Sequence, residues 1–274
     1  MSKGQIAVIA GTLVLIVLLF LANTKLPQQT KVADVQNTEA DFDVKAYIEG
    51  ESITLLPEQK AIIKEFETQF DHATNIQKSA LSDSLMKKWN DFQKPLIAAY
   101  YAEQKAVVNH DSKNWAEAGN RYFAATRFVK PDKRSGIFKL AINCFEKAVE
   151  MDPANVDTKI NLAACYVEGT TDPMKGISML KDIEKTDSNN INLQLNFAAF
   201  SEKSGQYEKA IHRYNRVLEI DAGYIEAYLH LADAYENEGN KSEAIRNLEK
   251  YIILVDDATI KTEVKNYINK LKTN

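Results

Sequence analysis

At 274 residues, with 45% hydrophobic and 26% charged residues, the chain has enough apolar content to bury the core of one large or two modest domains. A formal net charge of −4 gives no reason to expect nucleic acid as a partner. Two cysteines, Cys144 and Cys165, are too few for a disulfide-dense secreted domain, and their spacing matches no metal signature. They either pair or lie buried as small apolar residues, and the second alternative is favoured because free cysteine is among the most buried residue types.

The N-terminus predicts a membrane anchor. After a tail of residues 1–5, residues 6–22 read IAVIAGTLVLIVLLFLA without a charge. As a helix this run covers ~25 Å, close to the ~30 Å hydrocarbon core of a bilayer. A cleaved signal peptide is the alternative, but the run exceeds the usual ~7–15 residues and no small-x-small cleavage site follows it. Lysines flank both ends almost equally, so only the layout, a short tail and one helix before a large polar domain, favours export of that domain.

Beyond the anchor, residues 23–55 are polar and weakly patterned, which predicts a flexible tether. From residue 56 the apolar period is helical almost without a break. Pro57 marks a helix start, and Ile62, Ile63, Phe66 and Phe70 then share one face. No alternating apolar run is long enough to predict a sheet, so the expected fold is all-α. Residues 56–111 form its helical N-terminal part and end in a degenerate repeat.

A sequence pattern recurs along the second half of the chain. The stretch GQYEKAIHRYNRVLEID is followed 34 residues later by GNKSEAIRNLEKYIILVD, with the small and apolar residues aligned. Counting back by 34 and 35 residues finds two more copies. The small residues that align in the four second helices are Ala141, Gly176, Ala210 and Ala244. Each copy follows a first helix with its own shared spacing, and a fixed period of 20–50 residues indicates stacked repeats.

The pattern resembles the tetratricopeptide repeat (TPR), with four units over residues 112–256. The resemblance implies a right-handed superhelical array of helix pairs, an α-solenoid, behind the N-terminal transmembrane helix. Residues 257–274 are expected to form a capping helix. Three departures from the TPR pattern stand out. Serine replaces the first-helix tyrosine at Ser201, the closing proline is missing from the last three units, and about ten extra residues, FVKPDKRSGI, lie between the helices of the first unit.

The residues indicate no catalytic, metal or cofactor site, so the chain is not expected to be an enzyme. The four histidines lack the paired spacing of metal ligands: His72, His110, His212 and His230. No glycine-rich loop follows a strand, and no serine or cysteine stands in a nucleophile motif.

The resemblance implies instead that first helices line a concave groove that binds partner proteins. The groove residues expected from this alignment are Asn120, Phe123, Ile160, Val167, Leu195, Leu229 and Asp233. Among them Ile160, Leu195 and Leu229 predict an apolar stripe with acids at its C-terminal end, unless they pack against neighbouring helices. A carboxylate clamp of the chaperone-binding type is disfavoured, because Asn192 and Asn196 stand where the clamp needs Lys and Arg.

A second candidate surface is basic and surrounds the insertion in the first unit: Arg127, Lys130, Lys133 and Arg134. It is either an ordinary solvated face or a site for an acidic partner or lipid headgroups. Only one aromatic residue, Phe128, lies among these charges, and such sparse interleaving argues against RNA.

Together these patterns predict a membrane-anchored scaffold or adaptor that binds partner proteins, with homo-oligomerisation left open. The layout is similar to that of bacterial ancillary subunits of the Sec translocon, which present a repeat domain to exported chains. It suggests a single-pass protein of a bacterial inner membrane with an exported repeat domain and a chaperone-like role in protein export. The alternative is a structural subunit of a cell-envelope assembly that binds no clients.

Overall fold

A computed structural model of the chain describes residues 42–273, and every regular element in that range is helical. The predicted anchor at residues 6–22 and the first part of the tether lie outside the described residues. Within residues 42–273 the helices are too short or too polar to span a bilayer.

Thirteen α-helices and one short 3-10 turn (Thr126–Phe128) make up the described range. In chain order the α-helices are α1 (Val44–Ile53), α2 (Pro57–His72), α3 (Asn75–Asp91), α4 (Pro95–Asn109), α5 (Ser112–Ala125), α6 (Pro131–Met151), α7 (Val156–Gly169), α8 (Pro173–Thr186), α9 (Ile191–Lys203), α10 (Tyr207–Ile220), α11 (Glu226–Glu238), α12 (Lys241–Leu254) and α13 (Ala258–Thr273).

The helices pack as consecutive antiparallel pairs. The pairs α5/α6, α7/α8, α9/α10 and α11/α12 lie within the segment expected to hold four units. The pair α3/α4 stacks in front of them, and α13 packs on α12 at the other end. Helices contact mainly their neighbours in the chain, as expected of a repeat array in which each unit is stabilised by the next. The fold is therefore an all-helical TPR-like solenoid.

Local sequence signals set where the helices begin. The first helices of three repeats carry the same side-chain cap, in which an Asp or Asn oxygen accepts from the backbone N–H three residues later. The cap residues are Asp111 (2.9 Å), Asn155 (2.9 Å) and Asn190 (3.0 Å). Proline occupies the first position of α2, α4, α6 and α8, where its missing N–H has no helical partner to lose.

Small residues mark the places where two helices approach most closely. A Cβ added at Gly176 in α8 would lie 2.3 Å from the carbonyl oxygen of Ala163 and 2.7 Å from Val167 Cγ2, both in α7. At Gly119 in α5 an added Cβ would lie 2.8 Å from the ring of Phe145 in α6. These contacts leave no room for a side chain, so the small residues of the repeat pattern are required by packing.

Aromatic side chains fill the space between the pairs. Trp89, Tyr122, Phe145 and Tyr214 are buried almost completely. One core runs from α2 to α7, and smaller clusters join α7 to α9, α9 to α11, and α11 to α13. Cys144 and Cys165 lie buried as free thiols in the first of these cores, and burial raises the pKa of both.

Two expectations about the N-terminal half are wrong. The tether was expected to continue to residue 55, but Val44–Ile53 form a helix in which Tyr47 packs against the core and Glu51 pairs with Lys94, the residue just before α4. The insertion was expected between the helices of the first unit, but from Pro131 onward it lengthens α6 to 21 residues.

The two corrections share one cause. The lengthened α6 places Lys133 5.2 Å from the ring centroid of Tyr47, and it places Gly136 against Phe42, where an added Cβ would lie 2.5 Å from Phe42 Cβ. The segment Phe42–Ile53 therefore packs against the extra residues at the start of α6.

The contact at Gly176 yields a stability prediction. Alanine is ordinarily the better helix former, but in Gly176→Ala the new methyl would collide with the backbone of α7. We expect a loss of about 1–3 kcal/mol, the usual cost of overpacking, seen as a lower melting temperature and urea midpoint of the full chain.

The matched control is Gly50→Ala in α1, where an added Cβ meets nothing within 4 Å. This change should leave stability equal or raise it slightly, because alanine favours the helix. Equal behaviour of the two variants would contradict the close approach of α7 and α8.

Candidate functional site

The first helices of three successive repeats are joined by a chain of asparagine side chains, called here the asparagine ladder: Asn120, Asn161, Asn192 and Asn196. Asn161 donates from Nδ2 to Asn120 Oδ1 at 2.9 Å, and Asn192 donates from Nδ2 to Asn161 Oδ1 at 3.3 Å. Asn196 then donates to the Oδ1 of Asn192 at 3.1 Å and to its carbonyl oxygen at 2.9 Å. The ladder thus crosses α5, α7 and α9.

The ladder leaves hydrogen-bonding capacity free. Each amide carries two donor hydrogens and an oxygen with two lone pairs, so one contact on each side does not saturate it. Asn120 is exposed, and the other three side chains are half-buried. A row of such amides can both donate to and accept from a second polar chain laid along it.

A polar cleft of about 440 Å³ opens where the ladder begins, between α3, α4, α5 and α7. Asn120 and Asn161 form part of its wall. Its cations are Lys113, Lys105, which pairs with Asp83 at 2.7 Å, and Arg121, which pairs with Glu117 at 2.6 Å. Asp157 also lines the cleft beside Asp83 and Glu117, so this end of the groove offers amides together with charges of both signs.

A second cleft, of about 320 Å³, lies at the other end between α11, α12 and α13. Leu229, Leu248 and Val264 supply its apolar lining, while Asp233, Glu236 and Glu263 supply negative charge. Tyr267 of α13 donates its hydroxyl to Glu236 at 2.6 Å, and this hydrogen bond with burial raises the pKa of Tyr267 to about 12. Helix α13 thus lines the cleft and also covers the hydrophobic cluster that it shares with α11 and α12.

Glu202 of α9 stands near this acidic end. Its Oε2 accepts from the hydroxyl of Tyr214 at 2.9 Å, whereas its Oε1 is buried and unbonded within the described residues. Burial raises the pKa of Glu202, and the charge of Asp233 adds to the rise against the lowering effect of the Tyr214 hydrogen bond. The ring of His230 stacks on Tyr214 at a centroid distance of 4.9 Å.

The predicted groove residues do not form one continuous surface. Asn120 belongs to the ladder, and Leu229 and Asp233 meet in the acidic cleft. Leu195 is half-buried against the core between α9 and α11. Ile160 is fully buried with Leu180 and Leu193, so the three-residue apolar stripe predicted from the sequence is wrong at this position.

The remaining two predicted groove residues lie elsewhere. Phe123 packs on Phe138 of α6, with a centroid distance of 5.8 Å. Val167 of α7 lines a cleft with residues of α8, α9 and α10, and no asparagine of the ladder lines that cleft. Both face second helices rather than the row of asparagines.

The predicted basic surface stands apart from the ladder. Its four members, Arg127, Lys130, Lys133 and Arg134, are all exposed at the start of α6 and just before it. Because Lys133 lies over the ring of Tyr47, this surface borders α1. Among the described residues no cluster of three His, Cys, Asp or Glu side chains could hold a metal ion.

The sequence pattern places Asn120 in the groove and Asn192 and Asn196 at clamp positions, but it predicts no hydrogen bonds between asparagines. Asn161 and Asn196 occupy the same position in successive repeats, whereas Asn192 lies one turn earlier in α9. Repeat alignment compares equivalent positions, so a hydrogen bond between non-equivalent ones escapes it. Asparagines on two adjacent first helices were the available signal.

The comparisons with known proteins agree with this fold. A family model described as TPR repeat matches residues 203–239, and two described as tetratricopeptide repeat match residues 226–254 and 134–155. These matches support the tetratricopeptide repeat family for the helix pairs. Proteins of this kind are typically non-enzymatic scaffolds for protein–protein interaction, and nothing in the described residues points to catalysis. No curated protein matches the chain.

Solved structures of the same kind superpose on it. A tetratricopeptide repeat protein from Parabacteroides merdae is 13% identical, covers 84% of this chain and 88% of its own, and has a TM-score of 0.54. The TPR protein TTC0263 from Thermus thermophilus is 16% identical, covers 73% and 100%, and has a TM-score of 0.52. At these identities the likeness shows the fold alone.

The environment of Glu202 predicts a pH effect. Its pKa is higher in the folded than in the unfolded chain, so its contribution to stability is full below about pH 4.5 and is lost as the pH rises through the folded value. Glu202→Gln keeps an acceptor for Tyr214 and cannot ionise. We expect it to raise the urea midpoint at pH 7 and to leave it unchanged at pH 4.

Glu238→Gln, at the exposed end of α11, is the control and should shift neither midpoint. A shift of the same size at both pH values in Glu202→Gln would show that the burial of this carboxyl carries no electrostatic cost.

Proposed function

We propose that the chain is a scaffold that holds an extended segment of a partner protein along the asparagine ladder. The observation that carries this proposal is the continuous row of side-chain amides across α5, α7 and α9, with spacings of 2.9 and 3.3 Å between helices. An extended backbone presents N–H and C=O groups along its length, and these must be paired when water is displaced. Amides can pair both groups regardless of the partner's side chains.

The acidic end of the groove gives the bound segment a direction. Asp233, Glu236 and Glu263 line the last cleft, whereas in the first cleft Asp83, Glu117 and Asp157 balance the three cations. A segment with basic residues at one end would match this arrangement. Such complementarity mainly sets orientation and the rate of encounter rather than raw affinity.

We further propose that the scaffold is held at a membrane by residues 6–22 as an uncleaved span. The support is the uncharged run of seventeen residues and the absence of a cleavage pattern after it. With the repeat domain on the exported side of a bacterial inner membrane, its clients are chains in transit, and its role is chaperone-like.

A structural subunit of a cell-envelope assembly is the second candidate. It is favoured by the apolar side chains exposed at the end of α12, where Ile253 is 77% and Leu254 is 44% accessible. Such residues suit a permanent contact with one partner. Recovery from gently solubilised membranes separates the two functions: many substoichiometric clients indicate the scaffold, and a few stoichiometric partners indicate the assembly.

The ladder is tested by the double change Asn161→Ala and Asn192→Ala in the full chain. Loss of interface contacts of this kind often costs more than ~1 kcal/mol each, so partner capture should fall about tenfold or more. Helicity should persist, because alanine is the better helix former. The measurement is quantitative recovery of co-purified proteins, with circular dichroism as the folding check.

Asn143→Ala with Asn266→Ala is the matched control, since both side chains are exposed and lie outside the ladder. Charge reversal at Lys133 and Arg134 should have a smaller, salt-dependent effect. If that reversal abolishes capture and the ladder variant binds normally, the basic surface is the binding site and the ladder proposal fails.

The anchor has its own test. The mature protein should keep its N-terminus, resist carbonate extraction, and be digested by protease added to spheroplasts. An intact mass that begins near residue 23 would show cleavage and remove the anchor from the proposal.

A further inference from the structure

One repeat lacks the tyrosine that the others place at the same position of their first helices. Tyr122, Tyr166 and Tyr235 are equivalent, and Ser201 stands in their place in α9. Tyr166 shows what the position ordinarily holds. Its hydroxyl donates to Glu146 of α6 at 2.6 Å, and Lys175 of α8 lies 3.8 Å from its ring centroid. A phenol ring there bridges two successive second helices.

At Ser201 the corresponding space is an open cleft of about 540 Å³ between α8 and α10. The serine hydroxyl donates back to the carbonyl oxygen of Phe197 at 2.8 Å, so it does not reach across. Val167, Ile177, Phe197 and Phe200 supply apolar walls. The volume lies within the ~300–1,000 Å³ common for binding pockets.

The charges around this cleft have changed together with the tyrosine. Lys181 occupies the position of Glu146 one repeat later, and Lys209 occupies the position of Lys175. The acceptor of the missing hydroxyl is therefore replaced by a cation, while the cation that covers the ring is kept. None of the residues that line the cleft is acidic.

The two lysines are available to a ligand. Lys181 makes no ion pair within residues 42–273, and Lys209 bonds only to the neutral side chain of Gln206. Arg213 differs, because it pairs with Glu184, donates to Gln194 at 3.0 Å, and lies 4.5 Å from the Phe197 ring centroid. Arg213 thus serves as part of the wall, Lys181 and Lys209 define a positive rim, and His212 adds a ring nitrogen beside them.

We propose that this cleft is a second peptide-binding site, which takes one aromatic side chain of a partner with acidic residues beside it. The ring enters the space that Tyr166 fills in the preceding repeat and lies under Lys209, as Tyr166 lies under Lys175. The neighbouring carboxylates contact Lys181 and His212 at the rim. The cleft shares no lining residue with the clefts at the two ends of the groove, so the proposal does not depend on the ladder.

The test uses fluorescein-labelled peptides GSGDEXEDGS, in which X is Phe, Tyr or Trp, and fluorescence anisotropy with the full chain. At least one should bind saturably below ~1 mM, and the peptide with X = Ala should bind at least about tenfold more weakly. Failure of all three, or equal binding of the alanine peptide, would overturn the proposal. N-acetyltyrosine that binds as tightly as the peptides would overturn the assignment to a peptide partner.

Two variants assign the binding to the cleft. Ser201→Tyr fills it with the chain's own ring and should weaken the aromatic peptides at least about tenfold while raising the melting temperature. Lys181→Glu with Lys209→Glu should weaken them by a similar factor, whereas Lys241→Glu, an exposed lysine of α12 away from the cleft, should not. Unchanged binding in the first two variants would place the peptides elsewhere and refute the site.

Discussion

The close approach of paired helices at small residues is the contact on which the rest of the structure depends. Gly176 lets α8 lie directly against the backbone of α7, and Ala210 and Ala244 are fully buried at the equivalent places in α10 and α12. Each pair is then thin enough for the next to stack on it, and only stacking buries the apolar faces that one pair alone leaves exposed. The spacing of the first helices, and with it the reach of their side chains, follows from this packing.

The asparagine ladder is a direct consequence of that spacing. Side chains as short as asparagine can join neighbouring helices at 2.9 and 3.3 Å only because the first helices of successive repeats are adjacent and aligned. The ladder uses a row of positions that the core does not need. A row of polar side chains and a stable core can therefore be carried by the same helices.

Departures from the repeat pattern have structural consequences of different kinds. The extra residues of the first unit lengthen α6 and give Phe42 and Tyr47 a surface on which to pack. Ser201 instead removes a ring and leaves a cleft, and Lys181 reverses the charge beside it. The shared repeat pattern sets the packing of the helices. A specific surface can arise at the positions where one unit differs from its neighbours.

The sequence by itself determined the all-helical fold, the repeat period and the small-residue contacts, because these follow from a pattern repeated in four units. It could not determine how exposed the side chain is at a given repeat position in each of the units. Ile160, Leu195 and Leu229 are equivalent in sequence, yet Ile160 is enclosed by Leu180 and Leu193 while the other two are half-buried. The exposure of each side chain depends on which side chains of the neighbouring helix pair pack against it. The apolar periodicity of one helix carries no information about those neighbours. The same holds for Val44–Ile53, whose weak pattern predicted a tether and which is helical because α4 and the lengthened α6 give it a surface to pack on. The ladder and the cleft at Ser201 likewise join residues from different repeats, so only the tertiary structure could bring them together.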